Sequence, residues 1–295
     1  MSIAEILAPD FDLTLTLDSG QVFHWESFGE GFIGTIGERA VYLEQRGQVL
    51  RVREARPPSP TGRRPVLSRI VARYFALDHR LEEICASFPN EPAMQAARAF
   101  CRGLRIIRQP KWECLATFIT SSMKQVAHIR QISHALRRRY GRGRTLDANR
   151  VYAFPTATRL AAATETELRQ CALGYRAGNL LATARLVAHG EVNLEALAQL
   201  PDDELRAALC ELPGVGMKIA NCVMLFAYER LGAFPIDVWV ERVLREKYFP
   251  RRRKLTAADL REFAARHFGP HGGYAQQYLF HHARKTTPRS RRGAA

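Results

Sequence analysis

The chain has 295 residues, enough for two domains or one large one, and 46% of them are hydrophobic, enough for a full core. Its 44 Lys and Arg against 29 Asp and Glu leave a formal net charge of +15, which points to a polyanionic partner. No apolar run reaches the ~18 residues that a spanning helix needs, and the opening MSIAEILAPD lacks the basic start of a signal peptide, so membrane insertion and secretion are not expected.

Residues 11–53 predict strands. FDLTLTL (11–17) alternates strictly, GFIGTIG and AVYLEQ follow, and QVLRVRE ends the series, with glycine-bearing turns between them. The pattern is that of an antiparallel, curved sheet. EARPPSPTGRRP (54–65) reads as a surface loop. From Val66 to Phe100 the period becomes helical, in SRIVARYFAL and LEEICASF. After about Gln109 helix follows helix, the first being WECLATFITSSMKQVAHIRQISHALRRRYG, with no internal repeat. The fold class expected is α+β: an N-terminal antiparallel sheet domain with a few helices over 1–108, an all-α domain over 109–285, and a basic tail over 286–295. That tail contains no acid and is expected to be disordered.

The six cysteines (85, 101, 114, 171, 210 and 222) are scattered and form no CxxC pair, so neither a zinc site nor a disulfide framework is expected; a reduced, cytoplasmic setting fits them. Basic residues cluster. Between Arg102 and Arg144 stand eleven Lys or Arg and one acid, Glu113. A solvated face explains such a run about as well as a phosphate-facing one does. The excess over the whole chain favours the phosphate.

ELPGVGMKIANCVMLF (211–226) is a short turn entering an apolar helix, the pattern of a helix-hairpin-helix. Gly214 and Gly216, around Val215, free the backbone for a tight turn that aims N–H groups outward at a helix N-terminus, where a phosphate accepts them. Such a contact reads the DNA backbone and not its sequence. A plain helix–turn–helix corner remains the alternative. Lys218 in the first turn is misplaced for the helix dipole. Dipole and apolar surroundings both favour its neutral amine, which makes it a candidate nucleophile. The simpler reading is a lysine that snorkels or meets phosphate as a cation. Cys222 follows at i+4 on the same face. The helix climbs about 18 Å from Lys218 to Arg230. LGAFPI then offers roughly 20 Å of return, which brings Asp237 back beside the helix start. Asp237 precedes VWVERVLREKYF, so it also suits an N-cap.

LPGVGMKIANCVMLFA followed by FPIDVWV resembles the helix-hairpin-helix DNA glycosylases, and within them the 8-oxoguanine DNA glycosylase/AP lyase family, which places a lysine directly after the hairpin. FDLTLTLDSGQVFHW, QPKWECLATFITSSMKQVAHI, ALGYRAGNL and GGYAQQYLF resemble further motifs of that family, in its order, over nearly the whole chain. The resemblance implies a bifunctional glycosylase and lyase. Lys218 would be the nucleophile at C1′, and Asp237 would stabilise the cationic sugar and assist proton transfer.

The resemblance also assigns a base pocket. Cys222 and Phe280 would flank the extruded base, Gln276 would hydrogen-bond its Watson–Crick edge, and Pro235 would shape the loop against it. The carbonyl of Gly20 would accept from the N7–H that 8-oxoguanine has and guanine lacks. On residue type alone, Gly20 is a turn glycine and Gln276/Phe280 an ordinary packing pair. DNA contacts would come from Gly214, Val215 and Gly216 of the hairpin and from Met123, Lys124, His128, Tyr175 and Arg176. The partner is double-stranded DNA containing oxidised guanine, met by a monomer. No cofactor and no catalytic metal are implied, at most a structural monovalent or divalent cation at the hairpin.

Three positions depart from the eukaryotic branch. Met123 stands for an asparagine that fills the hole in the duplex, His128 for an arginine that reads the opposite cytosine, and Trp239 for a phosphate-contacting histidine. The chemistry is therefore expected to be intact and the opposite-base readout altered. Lys218 weighs against a monofunctional alkyl-base glycosylase, which does not need it. No cysteine follows Cys222, against the cluster-bearing endonuclease III branch. A non-catalytic DNA-binding hairpin would leave Lys218, Asp237 and the base pocket without purpose.

Overall fold

The computed structural model describes residues 2–54, 66–122, 124–252 and 254–287. The chain opens with a strand, β1 (Ser2–Leu7), which pairs antiparallel with β5 (Val49–Glu54). β2 (Glu26–Phe28), β3 (Gly31–Ile36) and β4 (Arg39–Arg46) complete a five-stranded antiparallel sheet of order β1-β5-β4-β3-β2. The hairpins follow the sequence expectation. FDLTLTL does not: Leu13–Asp18 is a helix, α1. Asp12 caps it by accepting from Leu15 N at 2.7 Å. The alternating leucines that suggest a strand also place Leu13 and Leu17 one helical turn apart, and with Thr16 they are the buried residues.

Three helices follow the segment 55–65, which lies outside the described residues. They are α2 (Leu67–Tyr74), α3 (Leu81–Ala86) and α4 (Pro92–Phe100). The long helical stretch expected after Gln109 is divided into α5 (Lys111–Ser121) and α6 (Val126–Tyr140). A hairpin of β6 (Gly143–Leu146) and β7 (Asn149–Tyr152) comes next; Asp147 and Ala148 turn it with positive φ. No glycine marks that turn, so the sequence does not announce it.

The rest is helical: α7 (Ala157–Ala161), α8 (Glu165–Leu168), α9 (Arg176–Ala188), α10 (Asp202–Cys210), α11 (Met217–Ala227), α12 (Val238–Val243), α13 (Ala257–Phe268) and α14 (Gly272–Thr286). The expected tail begins later than 286, because Thr286 closes α14; residues from 288 lie outside the described residues.

Two large cores divide the molecule, and a small third cluster of Ile33, Ala40, Tyr42 and Leu146 lies where the sheet meets the β6–β7 hairpin. One lies under the sheet, around Leu43, Leu50, Val52, Phe75 and Ile107. The larger lies among the helices, with α11 at its centre; from Ile219 to Phe226 every residue of that helix is buried. The two meet at a buried polar knot. Arg137 of α6 donates to Glu113 of α5, to Thr35 Oγ1 of β3 at 2.9 Å and to Tyr152 O at 3.0 Å. His24 adds its Nε2, 2.9 Å from Thr35 O. Burial raises the Glu113 carboxyl and lowers the Arg137 guanidinium and, strongly, the His24 imidazole. Desolvation opposes the attraction in this pair, as is usual for buried ion pairs.

Candidate active site

The hairpin is built from its backbone. α10 starts with Asp202, Asp203 and Glu204, which suit a helix N-terminus, and ends at Cys210. Gly214 takes φ of +80°, and a Cβ there would stand 2.8 Å from the Asn179 side chain, so both strain and contact require glycine. Gly216 occupies the N-cap of α11 with no side chain to satisfy the first N–H groups, and a Cβ there would meet nothing within 4 Å. The exposed end of α11 therefore presents unsatisfied donors to an anion.

Lys218 is half-buried in that first turn, its Nζ 5.5 Å from the centroid of the Phe118 ring on α5. Phe118 in turn stacks on Phe226 at 5.5 Å and 13°. The aromatic wall attracts an ammonium and closes the site on the core side. One turn further along α11, Cys222 is 4% exposed, and burial pushes its thiol up to about 11 against the opposing pull of the Lys218 charge. That thiol is an apolar wall and not a nucleophile.

Asp237 caps α12. Its Oδ1 accepts from Trp239 N at 3.1 Å and Val240 N at 2.9 Å. Burial raises the carboxyl, while these N–H groups and the Lys218 charge pull it down. The cap expected from sequence is present, and it leaves Oδ2 to face other partners. Lys218 acts electrostatically on both Cys222 and Asp237, so the three groups share one site.

A second wall is α14, which packs on α12, the helix that Asp237 caps. Gln276 is 4% exposed, and its Oε1 is buried with no hydrogen-bond partner among the described residues. A polar atom kept unpaired in a core costs on the order of 1–3 kcal/mol, so a ligand is the natural partner. Phe280 is half-buried one turn on, and Pro235 is buried in the loop before Asp237.

Gly20 reaches this wall from the N-terminal part. Its φ is +86°, and a Cβ would stand 3.0 Å from Phe280 Cε1. The loop is fastened on both sides. Gln277 Nε2 donates to Ser19 O at 2.8 Å, and the buried Gln21 amide donates to Arg105 O at 2.8 Å and accepts from Ile107 N at 2.7 Å. Gln109 Nε2 donates to Gln21 O at 2.7 Å.

A second group lies at the corner between α5 and α6. Arg176 is 5% exposed and donates to Ser122 O and to Leu173 O at 3.4 Å, with its Cζ 4.3 Å from the Tyr175 ring. Tyr175 itself is 60% exposed. Lys124 is half-buried, its N–H donating to Ser121 O at 3.2 Å, and His128 is exposed on α6. Met123 lies outside the described residues. Helix α9 joins the two groups, since it carries both Arg176 and the Asn179 that packs on Gly214.

Sequence reading missed Phe118, whose place in an apolar helix gives no signal, and the buried amides of Gln21 and Gln277, which read as ordinary polar residues. Among the described residues no group of three or more His, Cys, Asp or Glu side chains is placed to hold a metal ion. At the hairpin itself, the Leu212 and Pro213 carbonyls accept from Val215 N at 3.0 Å and Thr183 Oγ1 at 3.1 Å, and each keeps a second lone pair.

Residues 5–115 match the model of the 8-oxoguanine DNA glycosylase N-terminal domain, and residues 116–266 match that of the HhH-GPD superfamily of base excision DNA repair proteins. The chain belongs to the 8-oxoguanine DNA glycosylase family within that superfamily. An N-glycosylase/DNA lyase from Arabidopsis thaliana is 29% identical over 92% of this chain and 77% of its own length. The N-glycosylase/DNA lyase of Saccharomyces cerevisiae is 28% identical, covering 91% and 82%. The crystal structure of the Clostridium acetobutylicum 8-oxoguanine glycosylase/lyase, in complex with DNA carrying cytosine opposite 8-oxoguanine, superposes with a TM-score of 0.86 at 29% identity. That match covers 97% of this glycosylase-family chain and 98% of the other. Among the described residues, no helix of this family member is long and apolar enough to cross a membrane.

Proposed function

We propose that this chain is a bifunctional DNA glycosylase and AP lyase that excises 8-oxoguanine from duplex DNA in base excision repair. The observation that carries the reading is that Lys218 acts on both Cys222 and Asp237, while α14, which bears Gln276 and Phe280, packs on the helix that Asp237 caps, with Gly20 brought against Phe280 from the sheet domain. Relatives named N-glycosylase/DNA lyase support it, as does the Clostridium enzyme in complex with lesion DNA. In this reading residues 1–108 supply the lesion-sensing loop and 109–285 the catalytic helices, with the basic tail following the end of α14.

The hairpin N–H groups of Gly214 and Gly216 hold a phosphate, Val215 shaping the turn between them through its own N–H to Leu212 O, and the lesion nucleotide swings into the pocket between Cys222 and Phe280. Gln276 Oε1 takes up the Watson–Crick edge, and the Gly20 carbonyl accepts from N7–H. Lys218 Nζ, once it has given up a proton, attacks C1′; the C1′–N9 bond breaks and its electron pair leaves with the base, which is protonated. The carboxylate of Asp237 stabilises the positive sugar as it forms. Loss of a proton from nitrogen and opening of the sugar ring give a Schiff base. Removal of a C2′ proton then expels the 3′ phosphate and nicks the strand, and water releases Lys218. No cofactor enters these steps. A structural monovalent or divalent cation at the hairpin would be held by main-chain carbonyls such as those of Leu212 and Pro213, and would steady the phosphate contact.

Borohydride trapping on a duplex containing 8-oxoguanine tests the reading. A covalent protein–DNA adduct is expected. Base release without an adduct would replace it with a monofunctional glycosylase.

A further inference from the structure

Gln276, Phe280 and Arg284 stand at i, i+4 and i+8 on α14. Gly20 lies at the far end of this row from Gln276: the point its Cβ would take is 3.0 Å from Phe280 Cε1 and 3.9 Å from an Arg284 terminal nitrogen, Nη1. A purine stacked on Phe280, with Gln276 on its Watson–Crick edge, turns its imidazole edge toward Gly20 and Arg284. In 8-oxoguanine that edge carries N7–H and, beside it, O8.

Arg284 is built into the wall. Its side chain is 13% exposed, and its Cζ lies 5.6 Å from the Phe280 ring centroid. One nitrogen, Nη2, donates to Asp18 O and lies 3.1 Å from His281 Nδ1. The Nε is buried and meets no hydrogen-bond partner among the described residues. The Asp18 carboxylate, 3.8 Å from Arg284 Nη2, is shared with Lys285 Nζ at 2.5 Å and Arg130 Nη2 at 3.5 Å, and the Asp237 carboxylate also acts on the Arg284 charge. A fixed cation with unused donors therefore stands beside Gly20.

We propose that Arg284 is a specificity-determining residue of the base pocket, its guanidinium donating to O8 of the extruded 8-oxoguanine. The inference rests on the function proposed above and deepens it. The Gly20 carbonyl senses the proton on N7, and Arg284 senses the oxygen on C8. Guanine presents C8–H at that point, so the contact to O8 is lost, while the lone pair it carries on N7 meets the Gly20 carbonyl and is repelled.

The test measures binding to duplexes with uncleavable 2′-fluoro analogues of 8-oxoguanine and of guanine, and to a tetrahydrofuran abasic analogue. Wild-type protein is expected to prefer the 8-oxoguanine duplex. Arg284→Met should shrink that preference by about ten- to a hundredfold, the range of a hydrogen bond to a charged donor, with abasic-duplex affinity near wild type. Arg284→Lys keeps a cationic donor and should recover part of the preference. An unchanged preference in Arg284→Met, or an equal loss on the abasic duplex, overturns the proposal and leaves Arg284 as an anchor for the Asp18 loop. Wild-type protein that binds both bases alike overturns the functional reading itself.

Discussion

Phe280 Cε1 lies 3.0 Å from where a Cβ on Gly20 would stand, although 260 residues separate the two in sequence (280 − 20). Gly20→Ala therefore meets a ring held in a packed helix and a φ of +86° that alanine rarely adopts. Excision of 8-oxoguanine is expected to fall by at least about tenfold, while cleavage of a preformed abasic site, which has no base to seat, falls far less. Single-turnover rates on the two substrates check this. Equal losses would mean that the loop serves the backbone and not the base.

Lys218→Gln keeps length and hydrogen-bonding capacity and removes the amine. Borohydride trapping and strand nicking should both vanish, with binding to an abasic analogue retained, because the hairpin donors are main-chain groups. Trapping at the wild-type level would place the nucleophile elsewhere.

Asp237→Asn preserves an N-cap oxygen and removes the charge. Base release should slow by about 10²-fold or more. Burial raises this carboxyl, so its protonated form is favoured by folding; the stability it contributes is present at low pH and lost as pH rises through its folded-state value. The asparagine variant should thus be no less stable than wild type at neutral pH. The acid limb of the excision profile should lie above the ordinary carboxylate range in the wild type. A variant that lost stability but not rate would reduce Asp237 to a cap.

A weak reading of the opposite base is predicted from this arrangement. Arg176 donates to Ser122 O and Leu173 O and so shapes the corner, while its buried Nε meets no partner among the described residues. His128 is exposed and offers one donor at a time. Single-turnover cleavage with C, T, G or A opposite the lesion should show a shallow preference for cytosine. His128→Arg should steepen it by about ten- to a hundredfold, the effect of a bidentate fork. A steep wild-type preference would show that another group, with Lys124 the next to test, reads the orphan base.

The Arg137–Glu113 pair supplies a stability prediction. Both side chains are under 10% exposed, at 3% and 9%. Arg137→Met strands a buried carboxyl and should cost about 3–5 kcal/mol in urea denaturation, whereas Arg137→Met with Glu113→Leu should recover much of it. A double variant as unstable as the single one would show that the hydrogen bonds to Thr35 and Tyr152 matter more than the charge pair.

The sequence by itself determined whatever rests on local chemistry. LPGVGMK carries its turn in two glycines, Asp237 caps the helix it precedes, and the hairpins of 31–54 follow from alternation and glycine turns. Where one pattern serves two periods, sequence could not decide. Leu13, Leu15 and Leu17 fit a strand and a helix equally, and the Asp12 cap and burial beneath the sheet selected the helix. Long-range placement was also beyond its reach. Gln276 reads as a surface amide until α14 is packed on α12, and Gly20 reads as a turn until the Gln21 and Gln277 amides tie its loop to residues more than 80 positions away. Those contacts join segments remote along the chain, and no periodicity records them. They form because burying two cores leaves these polar groups only one another to bond with.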